Sequence, residues 1–176
     1  FGVIGCGYVG SAVAHHFRHL GLEVTGTTTS PSRLQELCDL VDHPRIYRAG
    51  DSCSDVSFLD SLDGLLIAMA PTSVSMEEDQ YCAVYGTGVT SLVEAIKSRQ
   101  SERPLHISYL SSAGVYGNQL GAVCDESTPT DRSNTANALL ADAEEAVLSL
   151  NCFGTSTCVL RLGGIYGPNK DIASFI

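Results

Sequence analysis

Residues 1–10 read FGVIGCGYVG, an apolar run that passes into a glycine-rich turn. The glycines follow the pattern G-x-G-x-x-G. Val3 and Ile4, just before them, predict a short buried strand. The residues after the turn predict a helix, because apolar side chains recur at helical spacing from Val9 to Leu20 and Gly21 then ends the pattern. Strand, turn and helix in this order form the first half of a βαβ unit.

The position of the glycine pattern between a strand and a helix is typical of a turn that binds a pyrophosphate. Gly5 permits the tight turn, Gly7 lets the backbone approach the ligand, and Gly10 lets helix and strand pack closely. The N–H groups at the helix start carry a partial positive charge that attracts an anion. The alternative is a strand–turn–helix with incidental glycines. The residues predicted to bind the pyrophosphate are Gly5, Cys6, Gly7, Tyr8, Val9 and Gly10.

Strand and helix patterns alternate along the rest of the chain. Further strands are predicted over residues 22–28, 46–50, 62–70, 105–110 and 157–162, and further helices over 30–40, 77–99 and 137–150. This alternation predicts an α/β fold with a doubly wound, parallel, six-stranded sheet in the order 3-2-1-4-5-6, the Rossmann arrangement. We expect residues 1–176 to form a single dinucleotide-binding domain.

Charge and cysteine content exclude several classes of partner. The chain has 20 acidic and 10 basic residues, and its net charge of −10 would repel nucleic acid and anionic membranes. No stretch of roughly 18 or more apolar residues occurs, so we expect no membrane-spanning segment. Seven cysteines without a C-x-x-C pair predict free thiols, no metal site, and a reducing compartment such as the cytoplasm or the plastid stroma.

The end of the second predicted strand indicates which dinucleotide is bound. NAD sites usually place Asp or Glu there, but residues 25–33 read TGTTTSPSR and contain no carboxylate. The hydroxyls of Thr28, Thr29 and Ser30 and the cation of Arg33 suit a 2′-phosphate. NADP is therefore favoured as the cofactor, with NAD possible. The alternative is that Arg33 is only a solvated residue of the next helix.

Two more blocks follow the last two predicted strands: SSAGVYG at 111–117 and RLGGIYGP at 161–168. Together with the glycine turn they resemble the extended short-chain dehydrogenase/reductase superfamily, the NAD-dependent epimerase/dehydratase group, over nearly the whole chain. The resemblance implies an NADP(H)-binding oxidoreductase or epimerase-like protein that acts on a small hydroxy or keto compound or a nucleotide sugar. It also implies that the substrate region beyond the sixth strand is truncated here.

The same resemblance implies roles for particular residues. Asp51 matches the family's adenine-contacting Asp, and Ser112 matches its catalytic Ser or Thr. Tyr116 is a further candidate for proton transfer. The residues expected to line the nicotinamide end of the cofactor are Met69, Ala70, Pro71 and Ser111.

One family motif, Tyr-x-x-x-Lys, has no match, because residues 121–153 contain neither Tyr nor Lys. The motif falls on Ala136 and Leu140, or one residue later on Asn137 and Ala141. A positioned proton-transfer group contributes about 10²–10⁴-fold to a rate. The sequence therefore predicts an atypical member of the superfamily, and it keeps open a catalytically inactive NADP-binding sensor or scaffold module.

Two further interpretations concern a partner and a competing family. Tyr85, Gly86 and Gly88 resemble positions on a helix that often forms a dimer interface in the family, so a homodimer is an implied partner. Hydroxy-acid and prephenate-type dehydrogenases share the opening glycine pattern but lack the blocks at 111–117 and 161–168, which disfavours that assignment.

Overall fold

The computed structural model describes residues 1–51, 53–71, 78–152 and 154–171. At its centre is a six-stranded sheet in the order β3-β2-β1-β4-β5-β6, and every neighbouring pair is parallel. The predicted doubly wound fold and its strand order are therefore confirmed. The strands are β1 (Gly2–Ile4), β2 (Thr25–Thr28), β3 (His43–Ile46), β4 (Gly64–Ile67), β5 (Leu105–Ser112) and β6 (Thr155–Leu162).

Helices flank the sheet. They are α1 (Tyr8–His19), α2 (Leu34–Cys38), α3 (Glu78–Tyr81), α4 (Val89–Lys97) and α5 (Thr135–Leu148). A π-helical segment, Cys82–Gly88, joins α3 to α4, where the sequence predicts one regular helix. Among the described residues, no helix combines the length and apolar character needed to cross a bilayer. The seven cysteines all lie in the described ranges and form no disulfide.

Strand β4 shows why the sheet is buried on both sides. Leu65 and Ile67 pack into a larger apolar cluster that contains residues of α4 and α5, whereas Leu66 packs into a second cluster with residues of α1 and α2. A continuous apolar run is the expected sequence for a strand covered on both faces. The helices thus fix the sheet between two cores and leave the ends of its strands for a site.

Strand β3 corrects one sequence prediction. It covers His43–Ile46 instead of residues 46–50, because its register pairs Thr25 with His43 and Thr28 with Ile46. The strand lies at the edge of the sheet, is half exposed, and contains Pro44, which edge strands tolerate. An exposed edge strand lacks the apolar pattern on which the prediction depended.

Candidate active site

A cleft of about 720 Å³ opens at the carboxyl ends of the strands. It lies where the strand order reverses, between β1 and β4, and there ligands bind in open α/β sheets. Its volume is within the range of small-molecule and cofactor sites. The fold therefore places one large concave site at the edge to which the glycine turn belongs.

Most of the residues predicted as site residues line this cleft. The structure brings together Gly5, Cys6, Gly7, Tyr8, Val9, Gly10, Thr28, Thr29, Arg33, Met69, Ala70, Pro71, Ser111 and Ser112. Ser30, Asp51 and Tyr116 are not among the lining residues. The Ser30 hydroxyl shares a hydrogen bond with Ser32 at 2.7 Å, and Asp51 Oδ1 accepts a hydrogen bond from Cys53 N–H at 2.9 Å.

The three glycines of the turn differ in what surrounds them. Gly5 has φ +93, and a Cβ there would lie 2.8 Å from the carbonyl oxygen of Ala68. A Cβ on Gly10 would lie 2.2 Å from the carbonyl oxygen of Gly5. A Cβ on Gly7 would meet no atom of the described residues within 4 Å, although Gly7 lines the cleft. The turn is therefore closely packed on its protein side and open toward the cleft.

The start of α1 is suited to an anion. Gly7 occupies the N-cap without any side-chain hydrogen bond, and the first turn contains no acidic residue. The amides of Tyr8, Val9 and Gly10 have no intrahelical acceptor, and the helix dipole adds positive potential there. A diphosphate would supply the missing acceptors, so the residues present fit a dinucleotide.

The Cys6 side chain does not take part in this surface. It is 2% exposed and packs into the core beside β2, and burial raises the pKa of its thiol to about 11. Its backbone N–H donates to the carbonyl oxygen of Thr27 at 2.7 Å, while Gly5 N–H donates to Thr27 Oγ1 at 2.9 Å. Thr27 thereby ties the glycine turn to β2.

Two adjacent serines at the end of β5 have opposite hydrogen-bonding roles. Ser111 Oγ donates its proton to Glu144 Oε1 at 2.6 Å, so toward the cleft it can only accept. Ser112 Oγ accepts from Gly114 N–H at 3.1 Å, and its own proton has no acceptor within the described ranges. The cleft therefore has a hydroxyl acceptor beside a hydroxyl donor.

A buried ion pair lies behind Ser111, and the sequence analysis assigned it no role. Glu144 is 3% exposed, and its carboxylate contacts Arg161 with an Nη2–Oε2 distance of 2.7 Å. Hydrogen bonds to this carboxylate raise the pKa of Arg161 further above its usual range. Two sequence features could have pointed to this ion pair: a charged residue lies within the apolar pattern of α5, and another lies in β6.

Tyr116 belongs to this ion pair rather than to the cleft. Its hydroxyl accepts from Arg161 Nη1 at 2.8 Å and donates to the carbonyl oxygen of Asp125 at 2.8 Å. The Arg161 guanidinium also lies 4.8 Å from the centre of the Tyr116 ring. With both partners in place, the hydroxyl holds Arg161 and the loop at Asp125.

The side of the cleft formed by α5 and the π segment is apolar and aromatic. Leu140, one of the two positions on which the family's Lys was predicted to fall, lines the cleft and is 5% exposed. Tyr81 and Tyr85 also line it, with ring centres 5.3 Å apart, and burial raises the pKa of Tyr85 to about 12. The Tyr85 phenol therefore stays protonated near neutral pH.

The predicted dimer positions pack within this chain. A Cβ on Gly86 would lie 3.5 Å from the Leu139 side chain, and one on Gly88 would lie 3.4 Å from Ala49 Cβ. Both distances are ordinary van der Waals contacts, but a Cβ on Gly88 would also lie 2.8 Å from the carbonyl oxygen of Ala83, so these contacts require glycine at position 88 and not at position 86. A homodimer stays a prediction.

Two cations in the cleft were missed from the sequence, Arg48 and Lys170. Lys170 Nζ lies 5.0 Å from the centre of the Tyr8 ring, and the Tyr8 hydroxyl donates to the carbonyl oxygen of Pro168 at 3.0 Å. These contacts hold residues 167–170 against the glycine turn. No local sequence pattern predicts that either cation lies in the cleft, because the position of each is set by the tertiary structure.

Comparison with known proteins gives a consistent family. The model of the NAD dependent epimerase/dehydratase family matches residues 3–176. Protein YeeZ from Escherichia coli (strain K12) is 28% identical over 177 residues, which cover 98% of this chain and 61% of YeeZ. The chain thus spans about three fifths of the length of this curated relative.

Solved structures share the fold at low sequence identity. A short-chain dehydrogenase/reductase superfamily protein from Agrobacterium tumefaciens with bound NAD has a TM-score of 0.74 at 23% identity, covering 91% of this chain and 48% of that one. UDP-glucuronic acid 4-epimerase from Bacillus cereus in complex with NAD has a TM-score of 0.73 at 20% identity, covering 95% of this chain and 57% of that one.

Proposed function

Because the chain belongs to the NAD dependent epimerase/dehydratase family, we propose that its cleft binds a nicotinamide dinucleotide and serves oxidoreductase or epimerase chemistry. The family is the one predicted from the glycine turn and the blocks at 111–117 and 161–168. Both the Agrobacterium and the Bacillus structures contain NAD, which supports the same class of cofactor here.

The open space at Gly7 is the observation that carries this proposal. Gly5 and Gly10 are required by close backbone contacts, but no contact among the described residues explains a glycine at position 7. The main-chain amides that begin α1 border the same space. A ligand that approaches the backbone closely and accepts hydrogen bonds accounts for both features.

We propose NADP as the preferred form. Thr28, Thr29 and Arg33 line the adenosine end of the cleft, and no Asp or Glu is among the described lining residues. A carboxylate at this place would repel a 2′-phosphate and accept from a ribose hydroxyl instead. Ser30 and Asp51 are not among the described lining residues of the cleft. Ser30 stays a predicted contact of the 2′-phosphate, and Asp51 stays a predicted contact of the adenine.

The two serines define how a substrate would be held. The nicotinamide ring, when bound, supplies a centre that accepts or donates hydride. Ser112 would donate to a carbonyl or hydroxyl oxygen of the substrate, and Ser111 would accept from a hydroxyl. A small hydroxy or keto compound meets this pattern, and so does a nucleotide sugar, the class on which the Bacillus relative acts.

A second candidate function is binding without turnover, as a sensor or scaffold. Leu140 supports it, because this side chain lines the cleft at one of the two positions predicted for the family's Lys and offers neither a charge nor a hydrogen bond. The phenol groups of Tyr81 and Tyr85 support the enzyme, since they place two further hydroxyl groups in the same cleft.

Gly7→Ala tests the dinucleotide site directly. We expect the affinity for NADPH, followed by its fluorescence, to fall roughly tenfold or more, because the added methyl occupies the space where the diphosphate approaches the backbone. The melting temperature should change little, since a Cβ at this position meets no atom within 4 Å.

The matched control is Gly164→Ala. Its Cβ also meets none of the described atoms within 4 Å, but Gly164 is not among the described lining residues of the cleft, so NADPH affinity should be unchanged. A Gly7→Ala protein that binds NADPH like wild type would contradict the proposed site, as would a wild-type protein that binds neither NADPH nor NADH.

Ser112→Ala separates the enzyme from the sensor. With a panel of nucleotide sugars and small keto and hydroxy compounds, we expect turnover by wild type and a loss on the order of 10²-fold in the variant. The dissociation constant for NADPH should stay the same. Turnover that survives the substitution would remove Ser112 from the mechanism, and NADPH binding without turnover of any compound would favour the sensor.

A further inference from the structure

Arg48 differs from the other cations of the chain in its partners. All ten Lys and Arg residues lie in the described ranges. Arg99 donates to two backbone carbonyls, and Lys170 lies over the Tyr8 ring. Within the described part of the chain, the Arg48 guanidinium has neither a carboxylate, a carbonyl nor a ring partner. The cations paired with carboxylates are Arg18, Arg33, Arg45, Lys97, Arg103, Arg132 and Arg161.

This lack of a partner does not come from a shortage of acidic groups, because the chain has 20 of them against 10 cations. An exposed arginine is well solvated by itself, so the missing partner alone indicates nothing. The second observation is that Arg48 lines the cleft. A free cation is therefore present at a site that fits an anionic ligand.

The sheet register places Arg48 next to the adenosine end of that cleft. Tyr47 N–H donates to the carbonyl oxygen of Thr28 at 3.0 Å, which continues the pairing of β3 with β2. Thr29 follows Thr28 in the chain, and Arg48 follows Tyr47. Both line the cleft, together with Arg33.

The backbone of Arg48 is fixed while its side chain has no partner. Its N–H donates to Ser54 Oγ at 3.1 Å, and its carbonyl oxygen accepts from Ser54 Oγ at 3.0 Å and from Asp51 N–H at 3.1 Å. The turn after β3 thus holds the point from which the guanidinium extends. Because the backbone is already fixed, binding a ligand would cost only the freedom of the side chain itself.

Arg33 by itself is a weak determinant of phosphate binding. Its guanidinium pairs with Glu36, with an Nε–Oε2 distance of 3.3 Å, so the pair has no net charge. A phosphate monoester carries close to two negative charges at neutral pH and is bound best by planar arginine forks. The site needs a cation that no carboxylate neutralises, and Arg48 is that cation.

We propose that Arg48 is a specificity-determining residue that binds the 2′-phosphate of NADP together with Arg33. The inference rests on the proposed dinucleotide site and adds a residue that the glycine turn and the end of β2 do not indicate. It requires that Arg48 discriminates between NADPH and NADH, which differ only in that phosphate.

Arg48→Ala is the test, with the dissociation constants of NADPH and NADH measured by fluorescence. We expect the NADPH affinity to fall by about 10- to 100-fold, the usual range for a charge-assisted hydrogen-bonding group, with NADH affinity unchanged. Arg48→Lys should keep part of the preference, because it restores the charge without the fork. Adding salt should weaken NADPH binding less in Arg48→Ala than in wild type.

Arg45→Ala is the matched control. Arg45 is also exposed on β3, but its guanidinium pairs with Asp55 at 3.7 Å and does not line the cleft. Its removal should leave the ratio of the two affinities unchanged. If NADH binds wild type but the ratio is the same in Arg48→Ala, the inference is overturned and the dinucleotide site stands. If wild type binds neither nucleotide, both are overturned.

Discussion

Replacing Glu144 with Ala is expected to lower the free energy of unfolding by about 3–5 kcal/mol, the usual cost of removing one partner from a buried ion pair. The Glu144 carboxylate is 3% exposed and accepts hydrogen bonds from Arg161 and Ser111. Without it, the Arg161 guanidinium, whose side chain is only 21% exposed, loses its counter-charge. Urea unfolding monitored by circular dichroism measures the loss.

The neighbouring Glu145 provides the matched control. It lies on the same helix, is largely exposed, and pairs with Arg132 at the surface. Because exposed ion pairs contribute little to stability, Glu145→Ala should have a much smaller effect. The double variant Glu144→Leu with Arg161→Met should recover part of the stability, since it leaves no unpaired charge. Equal losses in Glu144→Ala and Glu145→Ala would show that burial of this ion pair contributes nothing.

Gly10→Ala should disrupt both the fold and the site. The new Cβ would lie 2.2 Å from the carbonyl oxygen of Gly5 and 3.2 Å from Val3 Cγ1. Backbone atoms cannot rotate away, so α1 must move off β1 and carry the amides of the turn with it. We expect a loss of at least about 1–3 kcal/mol, the usual cost of overpacking, and NADPH binding too weak to measure.

Thermal unfolding and NADPH titration of the same preparations test this prediction. Gly7→Ala is the comparison, because it adds the same methyl group to the same turn without meeting any atom within 4 Å. Gly10→Ala should lose stability and binding, whereas Gly7→Ala should lose binding only. A Gly10→Ala protein that melts and binds NADPH as wild type does would contradict the packing described for the turn.

The fold and the cleft were predictable because their signals are local. Short stretches of sequence are enough to recognise the glycine pattern, the apolar run of β4 and the helical spacing. The topology rules for parallel sheets then predict the order of the strands. Strand β3 was misplaced by three residues because an exposed edge strand carries little apolar pattern. Its position depends on pairing with β2, which is a property of the folded sheet.

The partners of individual charges and hydroxyls could not be predicted in the same way. Glu144 and Arg161 are 17 residues apart, and the residues around each of them do not predict that the two form an ion pair. Arg48 stands out only after the partners of every other cation are known. Tyr116 was proposed for proton transfer from its motif, but its contacts with Arg161 on β6 and with Asp125 depend on where the folded chain places those two residues.

The adjacent serines at the end of β5 have a consequence for how the oxidation level of a ligand is recognised. A ketone presents only lone pairs and is satisfied by Ser112 alone, whereas the corresponding alcohol presents a proton as well and also satisfies Ser111, whose own hydrogen is committed to Glu144. Under the proposed function, the two members of a redox couple would therefore bind with unequal strength. The buried carboxylate sets this inequality without touching either compound.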